Sequence, residues 1–123
     1  KGENLGPADF TQIEGDMLLK TMQDGRPVDI TIRAGELFLL PAKMPHSPQR
    51  FAGTVGLVIE RKRRPGERDG LQWYCENCNA LLHQEFFELI NIETQFPPVF
   101  SRFFGDLAAR TCRRCGTVMQ PPD

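Results

Sequence analysis

The four cysteines fall in two pairs, Cys75-Glu-Asn-Cys78 and Cys112-Arg-Arg-Cys115, with none elsewhere in the chain. In a C-x2-C knuckle a tight backbone reversal turns both thiolates toward one ion. Two knuckles supply the four sulfurs of a tetrahedral zinc or iron site. Asn79 and Gly116, just after the knuckles, suit such a reversal because they tolerate positive φ. Arg113 and Arg114 partly offset the double negative charge of a metal tetrathiolate. Four protein ligands leave no open coordination position, so the expected role is structural. Two disulfides or a redox-active C-x-x-C are the competing readings, and the lack of an apolar signal-peptide core in KGENLGPADF weakens both. The spacer between the knuckles is longer than in a simple zinc ribbon, so a folded element must fill it.

A second group lies in Gly35-Glu-Leu-Phe-Leu-Leu-Pro41-Ala-Lys-Met-Pro45-His46-Ser-Pro48-Gln49-Arg50. A buried strand is expected to end at Pro41, a proline-rich turn to follow, and His46 to start the next strand. Prolines 41, 45 and 48 hold that backbone stiffly, which aims the imidazole if it serves as a ligand. Neutral imidazole suits Fe(II), Ni or Zn. A histidine beside a turn can equally be hydrogen-bonded there and nothing more, and the residue types alone favour that plainer reading.

The elements that position these groups read as β-structure over residues 10–60. Residues 10–13, 17–22 and 28–33 are short runs bounded by turn residues, and Asp24-Gly25 is a strong hairpin signal. Val28, Ile30 and Ile32 alternate with polar residues, the period of a half-buried strand. Leu37–Leu40 is a continuous apolar run, a strand follows His46, and residues 54–60 give the next. Many short strands with Gly and Pro punctuation predict an all-β sandwich or barrel over residues 1–64. Residues 65–123 form a separate cysteine module. Within it Pro97-Pro98 is expected to open a helix whose Val99, Phe100, Phe103, Phe104 and Leu107 make one apolar packing stripe.

The 123 residues bound the chain to one domain with a small appendage. A formal net charge of −1, from 15 basic and 16 acidic residues, argues against a general electrostatic hold on nucleic acid or an anionic membrane. The run Arg61-Lys62-Arg63-Arg64 is read as a solvated strand end rather than a nucleic-acid contact. No stretch approaches the roughly 18 apolar residues of a membrane span, so a soluble, cytoplasmic protein is expected.

Gly35, Pro41 and His46 also stand at the spacing of the second cupin motif, a glycine with a proline six later and a metal-binding histidine eleven later. The longer string Phe38-Leu-Leu-Pro-Ala-x-x-Pro-His-Ser-Pro-Gln-Arg50, with Val58-Ile59-Glu60-Arg61 beyond it, resembles the 3-hydroxyanthranilate 3,4-dioxygenase family. The resemblance continues through Asp69-Gly70-Leu71-x-Trp73-Tyr74-Cys75 and both knuckles, as in bacterial members with a rubredoxin-like metal site, and covers residues 10–119. It implies a cupin-type double-stranded β-helix (jelly-roll) barrel lacking its first strands, followed by a four-cysteine module with one helix. It implies Fe(II) held by two histidines and a glutamate, with 3-hydroxyanthranilate and O2 as substrates. The ring would open to 2-amino-3-carboxymuconate semialdehyde, which closes to quinolinate on the kynurenine route to NAD. Residue by residue, His46 matches an iron ligand and Arg50 the arginine that holds the substrate carboxylate. Glu60 matches the glutamate that faces the substrate's polar edge, as hydrogen-bond acceptor or proton acceptor. Cys75, Cys78, Cys112 and Cys115 match the Zn or Fe thiolate site.

One departure accompanies the match. Counted back from Phe10-Thr11-Gln12-Ile13-Glu14-Gly15, the family's glutamate and first histidine fall on Ala8 and Gly2, and neither side chain binds a metal. Glu3 and Asp9 keep the same separation one residue out of phase, and a bulge would be needed to turn them inward. Of the two histidines, His83 lies in the cysteine module and is expected on a strand surface. Two readings follow, a family dioxygenase altered at its start or a non-catalytic descendant stapled by zinc. Missing first strands would expose edges and apolar surface, which opens the way to a homodimer or to aggregation.

Overall fold

A computed structural model describes residues 8–122 in full and residues 2–3 by their backbone. Two compact units are present, Lys1–Glu67 and Arg68–Asp123.

The first unit contains β1 (Gly2–Glu3), β2 (Ala8–Glu14), β3 (Met17–Gln23), β4 (Arg26–Ile32), β5 (Leu37–Leu40), β6 (His46–Arg50) and β7 (Val55–Glu60). The Asp24-Gly25 hairpin forms as expected: both residues take positive φ, 51° and 74°, and close β3 onto β4 at the pair Gln23–Arg26. One sheet runs in the order β4-β3-β6-β1 and the other β5-β2-β7, with antiparallel pairs throughout. Apart from the β3–β4 hairpin, strands adjacent in sequence thus alternate between the two sheets, as in a jelly roll. The core lies between them, where Ala8, Phe10 and Leu40 of one sheet meet Met17, Leu19 and Ile32 of the other.

The apolar run in β5 is not buried on both faces, contrary to expectation. Leu40 is 1% exposed and Phe38 packs on the core, but Leu37 and Leu39 are 62% and 65% exposed. Their neighbours across β2, Leu57 and Ile59 of β7, are also exposed, so the outer face of this sheet is an apolar surface. An uninterrupted run of leucines encodes a strand, but only the partners present decide which faces are covered.

In the second unit β8 (Asp69–Tyr74) and β9 (Leu81–Phe87) form a hairpin, followed by α1 (Ile92–Phe104) and a single-turn α2 (Leu107–Arg110). Leu71 and Trp73 of β8 pack on Val99 and Phe103 of α1, with the Trp73 and Phe103 rings stacked at 4.4 Å. The helix does not open at Pro97-Pro98, which lie inside it on its exposed side. It starts at Asn91, whose side chain accepts the Glu93 and Thr94 N–H groups, while the Gln95 carboxamide accepts those of Ile90 and Asn91. That reciprocal cap satisfies the first turn and outweighs the two missing proline donors. Leu107 leaves the expected stripe, since it stands in α2 and is 60% exposed, and Phe96 joins the core instead. No helix among the described residues is long and apolar enough to cross a membrane.

Candidate functional site

Strand phase decides what faces the interior of the first unit. In β6, His46, Pro48 and Arg50 stand opposite Thr21, Leu19 and Met17 of β3, of which Leu19 and Met17 belong to the core. In β7, Gly56, Val58 and Glu60 stand opposite Gln12, Phe10 and Ala8 of β2. His46, Arg50 and Glu60 therefore lie on the inward faces of two opposed sheets. Glu60, at the end of β7, keeps 34% of its side chain exposed, and its 3.5 Å approach to Arg63 is a weak surface pair.

Two polar residues and one glycine escaped sequence reasoning. Gln12 is 2% exposed in the core phase of β2, and Thr21 is fully buried, its hydroxyl donating to the Val28 carbonyl at 2.6 Å. A Cβ on Gly56 would lie 2.7 Å from Gln12 Oε1 and 2.8 Å from Arg50 Nη1. Gly56 is thus the gap through which the guanidinium and carboxamide approach β7. The signal for Gln12 was available, a polar residue in step with Ala8 and Phe10; that for Gly56 required the register.

His46 is 8% exposed and edge-on to Phe10 at 5.9 Å. Its Nδ1 lies 2.9 Å from the Met44 carbonyl, which can only accept, so Nδ1 carries the proton and Nε2 the lone pair. Burial pushes its pKa below the ordinary 6.5, against the Met44 hydrogen bond and the Glu60 charge, which raise it. The imidazole is therefore neutral at pH 7, as a metal ligand or hydrogen-bond acceptor requires. The stability linkage has a definite sign: the contribution of neutral His46 is complete above pH 6.5 and is lost as pH falls through the lowered folded-state value. Urea melts between pH 7.5 and 5 should show this loss, and His46→Asn should flatten it; an unchanged slope would remove His46 as its source.

Iron in the site implied by the resemblance needs converging donors, and the described residues do not assemble them. Among the described residues, the one group of three or more His, Cys, Asp or Glu whose ligand atoms converge is the four cysteines. Gly2 pairs with His46, and Ala8, 1% exposed, pairs with Glu60 on one side and Leu40 on the other. Asp9 does not substitute. Its pairing with Leu39 and Ile59 is regular, no bulge turns it, and its carboxylate accepts the Thr11 hydroxyl on the outward face at 2.9 Å. The side chain of Glu3 lies outside the described residues.

The four sulfurs do converge, all within 4.8 Å of one another, with Cys75–Cys115 at 3.6 Å and Cys78–Cys112 at 3.5 Å. A tetrahedron with metal–sulfur bonds of about 2.3 Å has edges of about 3.8 Å, whereas a disulfide needs about 2.05 Å. The cluster thus has the dimensions of a metal site and not of two disulfides. The knuckles repeat one pattern. The Cys75 N–H donates to Ala80 O and the Asn79 N–H to Cys75 O, as the Cys112 N–H does to Thr117 O and the Gly116 N–H to Cys112 O. Asn79 and Gly116 have φ of 64° and 78°, as their positions after the knuckles predict. Without a cation the thiols ionise unequally. Hydrogen bonds from Thr117 hold Cys115 down to about 5. The Ala80 N–H pulls Cys78 down, but desolvation and the three neighbouring sulfurs outweigh it and push Cys78 up to about 11. Four crowded sulfurs carry full negative charge together only around a cation.

His83 is not a plain strand-surface residue. It shares with Trp73 the face of the hairpin turned to α1, stacks on Phe103 at 5.6 Å, and its Nε2 meets Glu85 at 3.0 Å. Glu85 in turn takes Arg102 of α1 at 2.7 Å, a link that ties β9 to the helix.

Comparison with known proteins bears on both units. The family model for 3-hydroxyanthranilic acid dioxygenase matches residues 3–104. The chain is 60% identical over 118 residues to a 3-hydroxyanthranilate 3,4-dioxygenase of Xanthomonas campestris pv. campestris, covering 96% of this chain and 67% of that protein. Proteins of the same name from Meyerozyma guilliermondii and Yarrowia lipolytica are 48% and 44% identical. These matches cover 93% and 94% of this chain and 67% and 68% of those proteins. The chain therefore spans about two thirds of the length of each of these relatives.

Proposed function

The chain belongs to the 3-hydroxyanthranilic acid dioxygenase family, and from that membership we propose that the space between the two sheets of Lys1–Glu67 receives 3-hydroxyanthranilate. In the family the reaction at this place is the opening of that ring by O2, giving 2-amino-3-carboxymuconate semialdehyde and then quinolinate on the kynurenine route to NAD. The observation that carries the reading is the shared inward phase of His46, Arg50 and Glu60. Arg50, exposed at the end of β6, offers a planar fork to the carboxylate, its Nη1 and the Gln12 carboxamide both lying over Gly56. Glu60, in phase with Ala8, accepts the proton of the ring hydroxyl or amine. Neutral His46 is the described inward residue that suits Fe(II), and the described residues do not complete an iron site around it. Zn(II) or Fe in the thiolate cluster is structural. Its reduced sulfurs suit the cytoplasm, and the apolar outer face of β5-β2-β7 suits a homodimer.

The test is a fluorescence titration with 3-hydroxyanthranilate. Hydrogen bonds to a charged group contribute about 1.5–3 kcal/mol, so Arg50→Gln should weaken binding about 10- to 150-fold. Equal affinity in the two proteins would take the carboxylate away from Arg50. No binding by the unaltered chain would sink the substrate assignment.

A further inference from the structure

We infer that the barrel interior, taken with the substrate reading above, is a cradle that binds its aromatic acid without retaining iron, and that the deficit resides at two backbone positions, Gly2 and Ala8. Firm retention of Fe(II) in a site of this type takes about three protein donors. Among the described residues the inward phases of β2 to β7 offer an imidazole, His46, and a carboxylate, Glu60, and no third donor of either kind. The Thr21 hydroxyl, opposite His46, donates to the Val28 carbonyl. The Asp9 carboxylate faces away and receives Thr11.

The geometry also says where donors would have to start. Residues directly opposite in an antiparallel pair project to the same face with Cβ atoms about 4.5–5.5 Å apart. Gly2 stands opposite His46, and Ala8 stands opposite Glu60. Ala8 is already inward and 1% exposed. Side chains begun at these two positions keep the phase of His46 and Glu60 without any change of register, whereas Asp9, next to Ala8, points to the other face. The carboxylate-holding side of the cradle, Arg50 with Gln12 over Gly56, depends on neither position.

The experiment compares the unaltered full chain with Gly2→His/Ala8→Glu after anaerobic Fe(II) loading and desalting. Metal per chain is counted before and after thiol blocking, and each sample is titrated with 3-hydroxyanthranilate. The unaltered chain should keep about one metal, all of it lost on thiol blocking, while binding the aromatic acid and taking up no O2. The double variant should keep about two, one resistant to thiol blocking. A resistant second metal in the unaltered chain overturns the inference, as does a double variant that binds the aromatic acid yet stays at one metal. Should the double variant not fold, the count on the unaltered chain decides alone. Failure of the aromatic acid to bind, with the metal counts as expected, would sink the substrate reading and leave the iron deficit standing.

Discussion

Cys112→Ser is expected to abolish the native packing of residues 68–123 rather than merely to weaken metal binding. The core of that unit is small: Leu71, Trp73, Val99 and Phe103 are its buried members. Units of this size seldom fold on apolar burial alone, and structural zinc contributes about 10–16 kcal/mol of apparent binding free energy at neutral pH. Cys112 anchors one knuckle, since its backbone both donates to Thr117 and accepts from Gly116, and its sulfur is 3.5 Å from that of Cys78. The measurement is unusually direct because Trp73 is the chain's one tryptophan and sits on Phe103. Its emission should move to the red in Cys112→Ser, and in the unaltered chain on addition of a chelator with a thiol-blocking reagent. An emission spectrum unchanged by metal removal would show that the hairpin and helix hold together without the ion.

Phe103→Ala is expected to cost the same unit about 3–5 kcal/mol, the range for a large aromatic removed from a packed core. Phe103 is 0% exposed and touches three rings at once, stacking on Trp73 and His83 and meeting Phe104 edge-on at 4.9 Å. Its removal opens a cavity that His83 cannot fill while held by Glu85, which Arg102 in turn engages. Urea unfolding at fixed zinc, followed by Trp73 emission, reads the loss. Phe100→Ala is the comparison, because Phe100 also meets Trp73 edge-on, at 5.7 Å, yet is 39% exposed. Similar losses in the two variants would mean that the core is not centred on Phe103.

What the sequence discloses and what it withholds follow from the range of the interactions involved. The knuckles are legible because ligand type, spacing and the positive-φ residues after them all lie within six residues of each other, and the structure repeats one backbone pattern at both. The β3–β4 hairpin is legible for the same reason, through Asp24-Gly25. The start of α1 is not, since the prolines are a louder local signal than Asn91 and Gln95, whose value lies in the bonds they exchange. Leu37 and Leu39 mislead because apolarity specifies a strand and leaves open what covers it. In the barrel, Arg50 and Glu60 are proposed through family resemblance alone, and His46 through motif spacing as well. They come from opposed sheets, and Gln12 and Gly56 join them only through the β2–β7 register. The same register turns Asp9 outward, which no local pattern around Asp9 foretells.

The pairing of sulfurs across the sequence has a kinetic meaning. Cys78 meets Cys112 over a separation of 34 residues and Cys75 meets Cys115 over 40. An ion held by the four sulfurs would close a ring that contains the whole of β9, α1 and α2. One knuckle can capture the ion through its two local sulfurs, but closing a loop of that length is an entropic cost that must be met before the second knuckle's sulfur–metal bonds can offset it. Local structure, the capped helix and the hairpin, has to shorten the search first, and metal capture then becomes the commitment step. With such an ion the appearance of the finished module would be a second-order event, first order in chain and first order in free metal, and its refolding half-time would be set by the ion concentration around it.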